Sequence, residues 1–124
     1  MSTFDEYSID ELARTIEQLH GVVCAAQREL LAAVAAYDRR EAWRDDGATS
    51  MAAWVAHRLG VSYRTAAGWA RVGGALASLP GLDAALGGGA LSFDQVAPLT
   101  KAATPMTDEI MVSSNPNRTE MRKP

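Results

Sequence analysis

The chain has 124 residues, enough for one ordinary domain, and 48% of them are hydrophobic. Twelve Lys and Arg against fifteen Asp and Glu give a formal charge of -3. This balance excludes a protein that coats nucleic acid by bulk charge, so any such contact needs a local basic patch. Alanine is abundant, aromatic residues make up only 6%, and no stretch alternates as strands do. The composition therefore predicts an all-α protein.

A long helix is predicted to begin at Ser8, because Ser8-Ile9-Asp10-Glu11 has the form of a capping box. Apolar residues then recur at alternating gaps of three and four, at Ile9, Leu12, Ile16, Leu19, Val23, Ala26, Leu30, Ala33 and Tyr37. A heptad seam of this length cannot be buried by one helix alone. The seam packs either on later helices of the same chain or on a second copy, and we predict a homodimer through Ile9–Tyr37.

A turn at Asp45-Asp46-Gly47 is predicted soon after this helix ends. Two adjacent carboxylates invite a metal-binding or acid–base interpretation. Neither the spacing of a calcium loop nor a nearby histidine supports that interpretation, so a solvated turn is preferred.

The next two helices have the layout of a helix-turn-helix over residues 51–72. A hydroxyl side chain at 49–50 caps the first helix and Gly60 ends it. Ser62 caps the second helix, which is predicted to run on to Pro80-Gly81. The positions that must be apolar to lock the two helices are Val55, Leu59, Val61, Ala66 and Trp69.

A helix-turn-helix projects the start of its second helix into the DNA major groove. The side chains expected to contact DNA are Arg58, Tyr63, Arg64 and Arg71. Arg64 would read guanine or hold a phosphate, whereas Arg58 and Arg71 would contact phosphates.

Local charge supports this hypothesis, because the segment between Gly47 and Leu82 contains three Arg and no acidic residue. Against it, Ala67 and Gly68 are poor base readers, and helix pairs joined by a glycine turn occur in many proteins that never touch DNA. Any binding of double-stranded DNA is therefore expected to be weak or chiefly to phosphate.

Two further helical segments are predicted downstream. Residues 82–86 form a short helix closed by Gly87-Gly88-Gly89, which lacks the following Lys and Ser/Thr of a phosphate loop and is interpreted as a hinge. Ser92-Phe93-Asp94-Gln95 is a second capping box, and it opens a helix toward Ala103 that Pro98 is expected to kink.

Apolar periodicity fades after Thr104. The sequence thus predicts one helical domain over residues 8–104, in which the long N-terminal helix packs on a helix-turn-helix-like bundle. The tail, residues 105–124, is expected to be disordered.

No catalytic residue, metal site or cofactor is predicted. His20 and His57 are the only histidines, and neither has a second ligand at metal spacing. Cys24 is alone, so it forms no internal disulfide and is interpreted as a small apolar helix residue in a reducing compartment. The chain opens with acidic residues where a signal peptide is basic. We therefore expect a cytoplasmic protein with no membrane anchor.

A set of spaced motifs resembles the 13E12 repeat family, which is found in actinobacteria, notably mycobacteria, and whose shared region is a domain of unknown function. The motifs of the first part are Ala42-Trp43, Asp46-Gly47, Ser50, Ala53-Trp54-Val55-Ala56, Leu59-Gly60-Val61-Ser62 and Ala66. The continuation matches at Leu76, Leu79-Pro80, Leu82, Gly89-Ala90-Leu91-Ser92 and Gln95-Val96. The resemblance covers about Leu12 to Thr104.

The resemblance implies a DNA-associated module, because many longer members end in an HNH endonuclease domain. The chain departs from the family pattern after Ala103 and carries no HNH residues, so it is interpreted as a truncated copy with no nuclease activity. The function we expect is that of a DNA-associated helical module without catalysis. The alternatives are a helix-mediated oligomerisation or scaffold module and a truncated repeat-element copy with no function.

Overall fold

The computed structural model describes residues 3–113, which contain six α-helices, a short 3-10 helix over Ala42–Arg44 and no strand. The all-α prediction is confirmed. In chain order the helices are α1 (Ile9–Arg39), α2 (Met51–Leu59), α3 (Tyr63–Leu76), α4 (Pro80–Gly87), α5 (Phe93–Ala102) and α6 (Asp108–Ser113).

The predicted N-terminal capping box is present at α1. The Ser8 hydroxyl accepts a hydrogen bond from the Glu11 amide at 3.1 Å, and the Glu11 carboxylate accepts one from the Ser8 amide at 2.8 Å. The same arrangement joins Ser92 and Gln95 at the start of α5. Both helices therefore begin where these local sequence signals place them.

Helix α1 packs on the rest of the chain through the face that carries Cys24, Leu31 and Ala35. Cys24 and Leu31 belong to a core with residues of α3, α4 and α5. Burial raises the pKa of the Cys24 thiol, which keeps it protonated and unreactive, as expected for a small apolar helix residue. One ion pair joins α1 to α4, because the Arg28 guanidinium donates to the Asp83 carboxylate at 2.9 and 3.1 Å.

The predicted heptad seam divides into two parts. At its C-terminal end, Leu30 and Tyr37 are partly buried against a cluster of residues from α1, α2 and α3 of the same chain. At its N-terminal end, Ile9, Ile16 and Val23 are exposed. The difference arises because α1 carries apolar residues on two sides, and only the side of Cys24 faces the core along its middle.

Helix α1 also meets length and composition criteria for a membrane span, with a mean hydropathy of 1.2 over its most apolar window. This is weak evidence, since core helices of soluble proteins meet the same criteria.

The chain turns between α3 and α4 earlier than predicted. Helix α3 ends at Leu76, and α4 begins at Pro80, where the sequence placed the end of the third helix. A proline has no backbone N–H that would need a hydrogen-bond acceptor in the first turn, and its φ is already close to the helical value. Pro80 is therefore well suited to start a helix here.

Residues 105–124 are predicted to form a disordered tail, and the structure places α6 in the first part of that range. The Asp108 side chain is buried and accepts hydrogen bonds from the backbone amides of Gly81 and Leu82, the latter at 2.8 Å. Because Leu79 offers no side-chain cap at the start of α4, Asp108 fills that role from outside the helix. The folded unit therefore extends beyond Thr104, and the rest of the assigned tail, 114–124, lies outside the described residues.

Candidate nucleic-acid interface

Helices α2 and α3 are joined by the short turn that the sequence predicts. Gly60 adopts a left-handed conformation with a φ of 70°, and its amide donates to the Ala56 carbonyl at 3.0 Å. Ser62 caps α3, accepting a hydrogen bond from the Thr65 amide at 3.0 Å. The positive φ explains the glycine, since a residue with a Cβ would be strained there.

The contact between α2 and α3 is centred on Val55 and Ala66, which are fully buried. Val61 and Trp69 are partly buried against the same cluster, as predicted. Leu59 was expected to lock the two helices, but half of its surface is exposed. The prediction was wrong for Leu59 because it is the last residue of α2, and Val55, one turn earlier, makes the central contact.

Tyr63 and Arg64 lie in the first turn of α3, and both side chains are exposed. Within residues 3–113, neither side chain makes a hydrogen bond or an ion pair. These two of the four predicted DNA contacts are therefore available to a ligand.

Arg71 lies two turns further along α3 and ties that helix to α5. Its guanidinium donates to the Thr100 hydroxyl at 3.1 Å and to the Ala97 carbonyl at 3.2 Å. Both acceptors are neutral, so they leave its positive charge uncompensated. A guanidinium has five N–H donors, which leaves Arg71 able to contact an anion as well.

Arg58 has a different environment from the other two arginines. Its guanidinium lies 3.2 Å from the Asp46 carboxylate and stacks over the Trp54 ring, 4.6 Å from the centroid. Asp46 therefore offsets the charge that the predicted phosphate contact at Arg58 would use. The spacing of Trp54 and Arg58, four residues apart on one helix, is a sequence signal for this stacking.

Asp46 is the residue whose role the sequence did not reveal. Besides Arg58, the same carboxylate oxygen accepts hydrogen bonds from Trp54 Nε1 at 2.8 Å and from the Tyr37 hydroxyl at 3.4 Å. The Tyr37 and Trp54 rings are 4.4 Å apart. The carboxylate interpreted as part of a solvated turn thus joins the end of α1 to α2.

A cleft of about 560 Å³ lies beside this cluster, lined by residues 46–49, Ala53, Trp54, His57 and Arg58. His57 is its one histidine, and no group of three or more His, Cys, Asp or Glu among the described residues could hold a metal ion. The cleft does not include Tyr63 or Arg64, so the exposed start of α3 is a separate surface.

Replacing Asp46 with Ala is expected to lower the free energy of unfolding by about 1 kcal/mol, because an exposed ion pair and two further hydrogen bonds are lost together. Asp45→Ala is the matched control, since it removes the same charge from the neighbouring position. Urea unfolding of both variants checks this, and equal stabilities would contradict a joining role for Asp46.

Tyr37 provides a second measurement on the same cluster. Partial burial, followed by the nearby Asp46 charge, raises the pKa of the Tyr37 hydroxyl above 10.0. The raised pKa stabilises the fold at neutral pH, and this contribution is lost as pH rises from the unfolded value through the folded one. In an alkaline titration followed by tyrosinate absorbance, one tyrosine of the wild type should ionise at a higher pH than the others. Its pKa should move toward the ordinary value in Asp46→Ala, and its transition should be absent in Tyr37→Phe.

A comparison with known protein families found a match that spans all six described helices. The family model described as a domain of unknown function, DUF222, matches residues 9–121, from the first residue of α1 to beyond the end of α6. The match continues past Thr104, where the sequence resemblance was expected to end. Searches of curated proteins and of solved structures each gave no match. Because the matched segment covers most of the chain, the protein belongs to the DUF222 family.

Proposed function

We propose that the chain is a DNA-associated helical module of the 13E12 repeat type, which contacts DNA phosphates through the start of α3. The observation that carries the proposal is the exposed pair Tyr63 and Arg64 on the first turn of a helix that follows a glycine turn. The resemblance to the 13E12 repeat family supports it, since many longer members end in an HNH endonuclease domain. The proposed role is binding in the cytoplasm, without catalysis by this chain.

Charge and helix geometry support phosphate contact at this surface. Arg64 and Arg71 are seven residues apart, so they lie on one side of α3 and about 10.5 Å apart along its axis. The amides of a helix N-terminus carry partial positive charge, which favours an anion near Arg64. The acidic residues lie outside the segment from Gly47 to Leu82, so the charge of α3 itself is not cancelled locally.

The same surface predicts little sequence specificity. Ala67 and Gly68 lie between the two arginines, and their side chains offer no hydrogen bond to a base edge. Binding through phosphates alone is weak and falls steeply with salt. The proposal is therefore of a DNA-associated module that holds the duplex with little discrimination between sequences.

The test is a titration of duplex DNA with the full chain at several salt concentrations. Arg64→Gln should reduce the slope of log affinity against log salt by about one unit, and Arg71→Gln should do the same for all sequences. Arg14→Gln, an exposed change of equal charge on α1, is the matched control and should leave the slope unchanged. Arg58→Gln should also leave it unchanged, because Asp46 already neutralises Arg58.

Absence of binding by the wild-type protein would overturn the proposal. So would equal affinities for the wild type and an Arg64→Gln/Arg71→Gln double variant. Circular dichroism of each variant shows that it is folded, which is needed most for Arg71, since its side chain also ties α3 to α5.

A further inference from the structure

The N-terminal half of α1 carries an apolar stripe about a quarter turn around the helix from its packed face. The stripe consists of Ile9, Leu12, Ile16, Leu19 and Val23. Four of these side chains, all except Leu12, are 50% to 80% exposed, and Val22 beside them is also exposed. Residues spaced alternately by three and four form the seam that pairs one helix with another. The shape of the stripe therefore fits a helical partner.

We propose that the partner is a second copy of this chain, whose α1 lies antiparallel along the stripe. The residues that flank the stripe are Ala13, Thr15, His20 and Val22, and none of them is Asp, Glu, Lys or Arg. Flanking charges normally select or reject a partner helix, and here no like charges oppose self-pairing. The same surface can thus serve both copies, as a two-fold symmetric dimer requires.

The distribution of acidic residues favours the antiparallel orientation. The first 11 residues contain four acidic side chains, at Asp5, Glu6, Asp10 and Glu11, and no basic one. A parallel pair would place these two negative ends side by side. An antiparallel pair separates them by the length of the stripe, about 20 Å for 14 residues. That distance exceeds the screening length of about 8–10 Å at physiological salt.

The packing at the other end of the seam favours the same orientation. Leu30 and Tyr37, which continue the seam, are partly buried against a core cluster of their own chain. A parallel partner would follow α1 into this covered region, whereas an antiparallel partner needs only the free part of the seam, from Ile9 to Ala26. Facing positions then pair Ile16 with Leu19 of the second copy and Leu12 with its Val23, so that each apolar layer is filled.

Self-association is tested first by sedimentation of the full chain at high micromolar concentration. The wild type should sediment as a dimer, and Leu19→Glu/Val23→Glu should be monomeric, because one charge enters each of four buried layers. Gln18→Glu introduces a charge at an exposed neighbouring position and should remain dimeric. A monomeric wild type would overturn the proposal, and its capture by neutral phosphatidylcholine vesicles would assign the stripe to lipid instead.

Orientation is tested by disulfide formation under mild oxidation, with products distinguished by mass. A mixture of the single variants Leu12→Cys and Val23→Cys should form the mixed disulfide, whereas Leu12→Cys alone should form little. The wild type, whose Cys24 is buried, is the control for background oxidation. Efficient self-crosslinking of Leu12→Cys would show a parallel pair and overturn the antiparallel arrangement.

Discussion

Replacing Gly73 with Ala is expected to destabilise the protein by about 2 kcal/mol, because α1 and α3 approach each other at this glycine through their backbones. A Cβ at position 73 would lie 2.6 Å from the carbonyl oxygen of Leu31 and 3.4 Å from its carbonyl carbon. Backbone atoms cannot move aside as a flexible side chain can, so the two helices must separate. Overpacking of this kind typically costs about 1–3 kcal/mol, partly offset by the better helix propensity of alanine.

Gly74 supplies the matched control for this prediction. It belongs to the same helix, and a Cβ at position 74 meets nothing within 4 Å. Gly74→Ala should therefore raise the free energy of unfolding by about 0.5–1 kcal/mol, the usual gain for this change in a helix. Urea unfolding of both variants measures the effect. An unchanged or raised midpoint for Gly73→Ala would contradict a close approach of α1 and α3 at Gly73.

The features that sequence analysis predicted correctly depend on bonds between near neighbours. The capping boxes at Ser8 and Ser92 join residues three apart, and the left-handed Gly60 needs only its own helix. Such interactions are encoded locally, so the starts of α1, α3 and α5 could be read from short segments.

The features that it missed depend on partners far along the chain. Arg71 donates hydrogen bonds to Thr100 and Ala97, which lie 29 and 26 positions further along the chain. No local sequence pattern predicts that α5 packs beside Arg71. Asp46 lies one residue before the segment from Gly47 to Leu82, which contains no acidic residue. In the folded chain its carboxylate nevertheless contacts Arg58. Arg58 and Arg71 therefore have partners that only the tertiary structure reveals, whereas Tyr63 and Arg64 remain exposed.

Periodicity also could not predict which side of α1 packs on the core. The strongest heptad pattern marks the seam from Ile9 to Tyr37, whose N-terminal part is the exposed stripe. The core contacts are made instead by Cys24, Leu31 and Ala35. A helix with apolar residues on two sides satisfies a periodicity argument in either orientation. Only the positions of α3 and α4 determine which side becomes the core.

A buried carboxylate links α6 to the start of α4. Asp108 accepts from the amides of Gly81 and Leu82, which begin α4 without any cap from Leu79. A Cβ at position 81 would lie 2.8 Å from the Asp108 carboxylate, so the glycine after Pro80 makes this approach possible. The carboxylate also stabilises the positive end of the α4 dipole.

Asp108→Ala is therefore expected to lower the free energy of unfolding by about 1–3 kcal/mol, since it leaves two amides at a buried helix start without an acceptor. Amide hydrogen exchange at Gly81 and Leu82 should accelerate, while exchange within α2 should change little. Glu109→Ala, at the exposed next position, should alter stability by less than about 0.5 kcal/mol. Equal unfolding midpoints for the two variants would mean that α6 is held by its apolar contacts, such as Val112 against the core, and that the start of α4 needs no cap from Asp108.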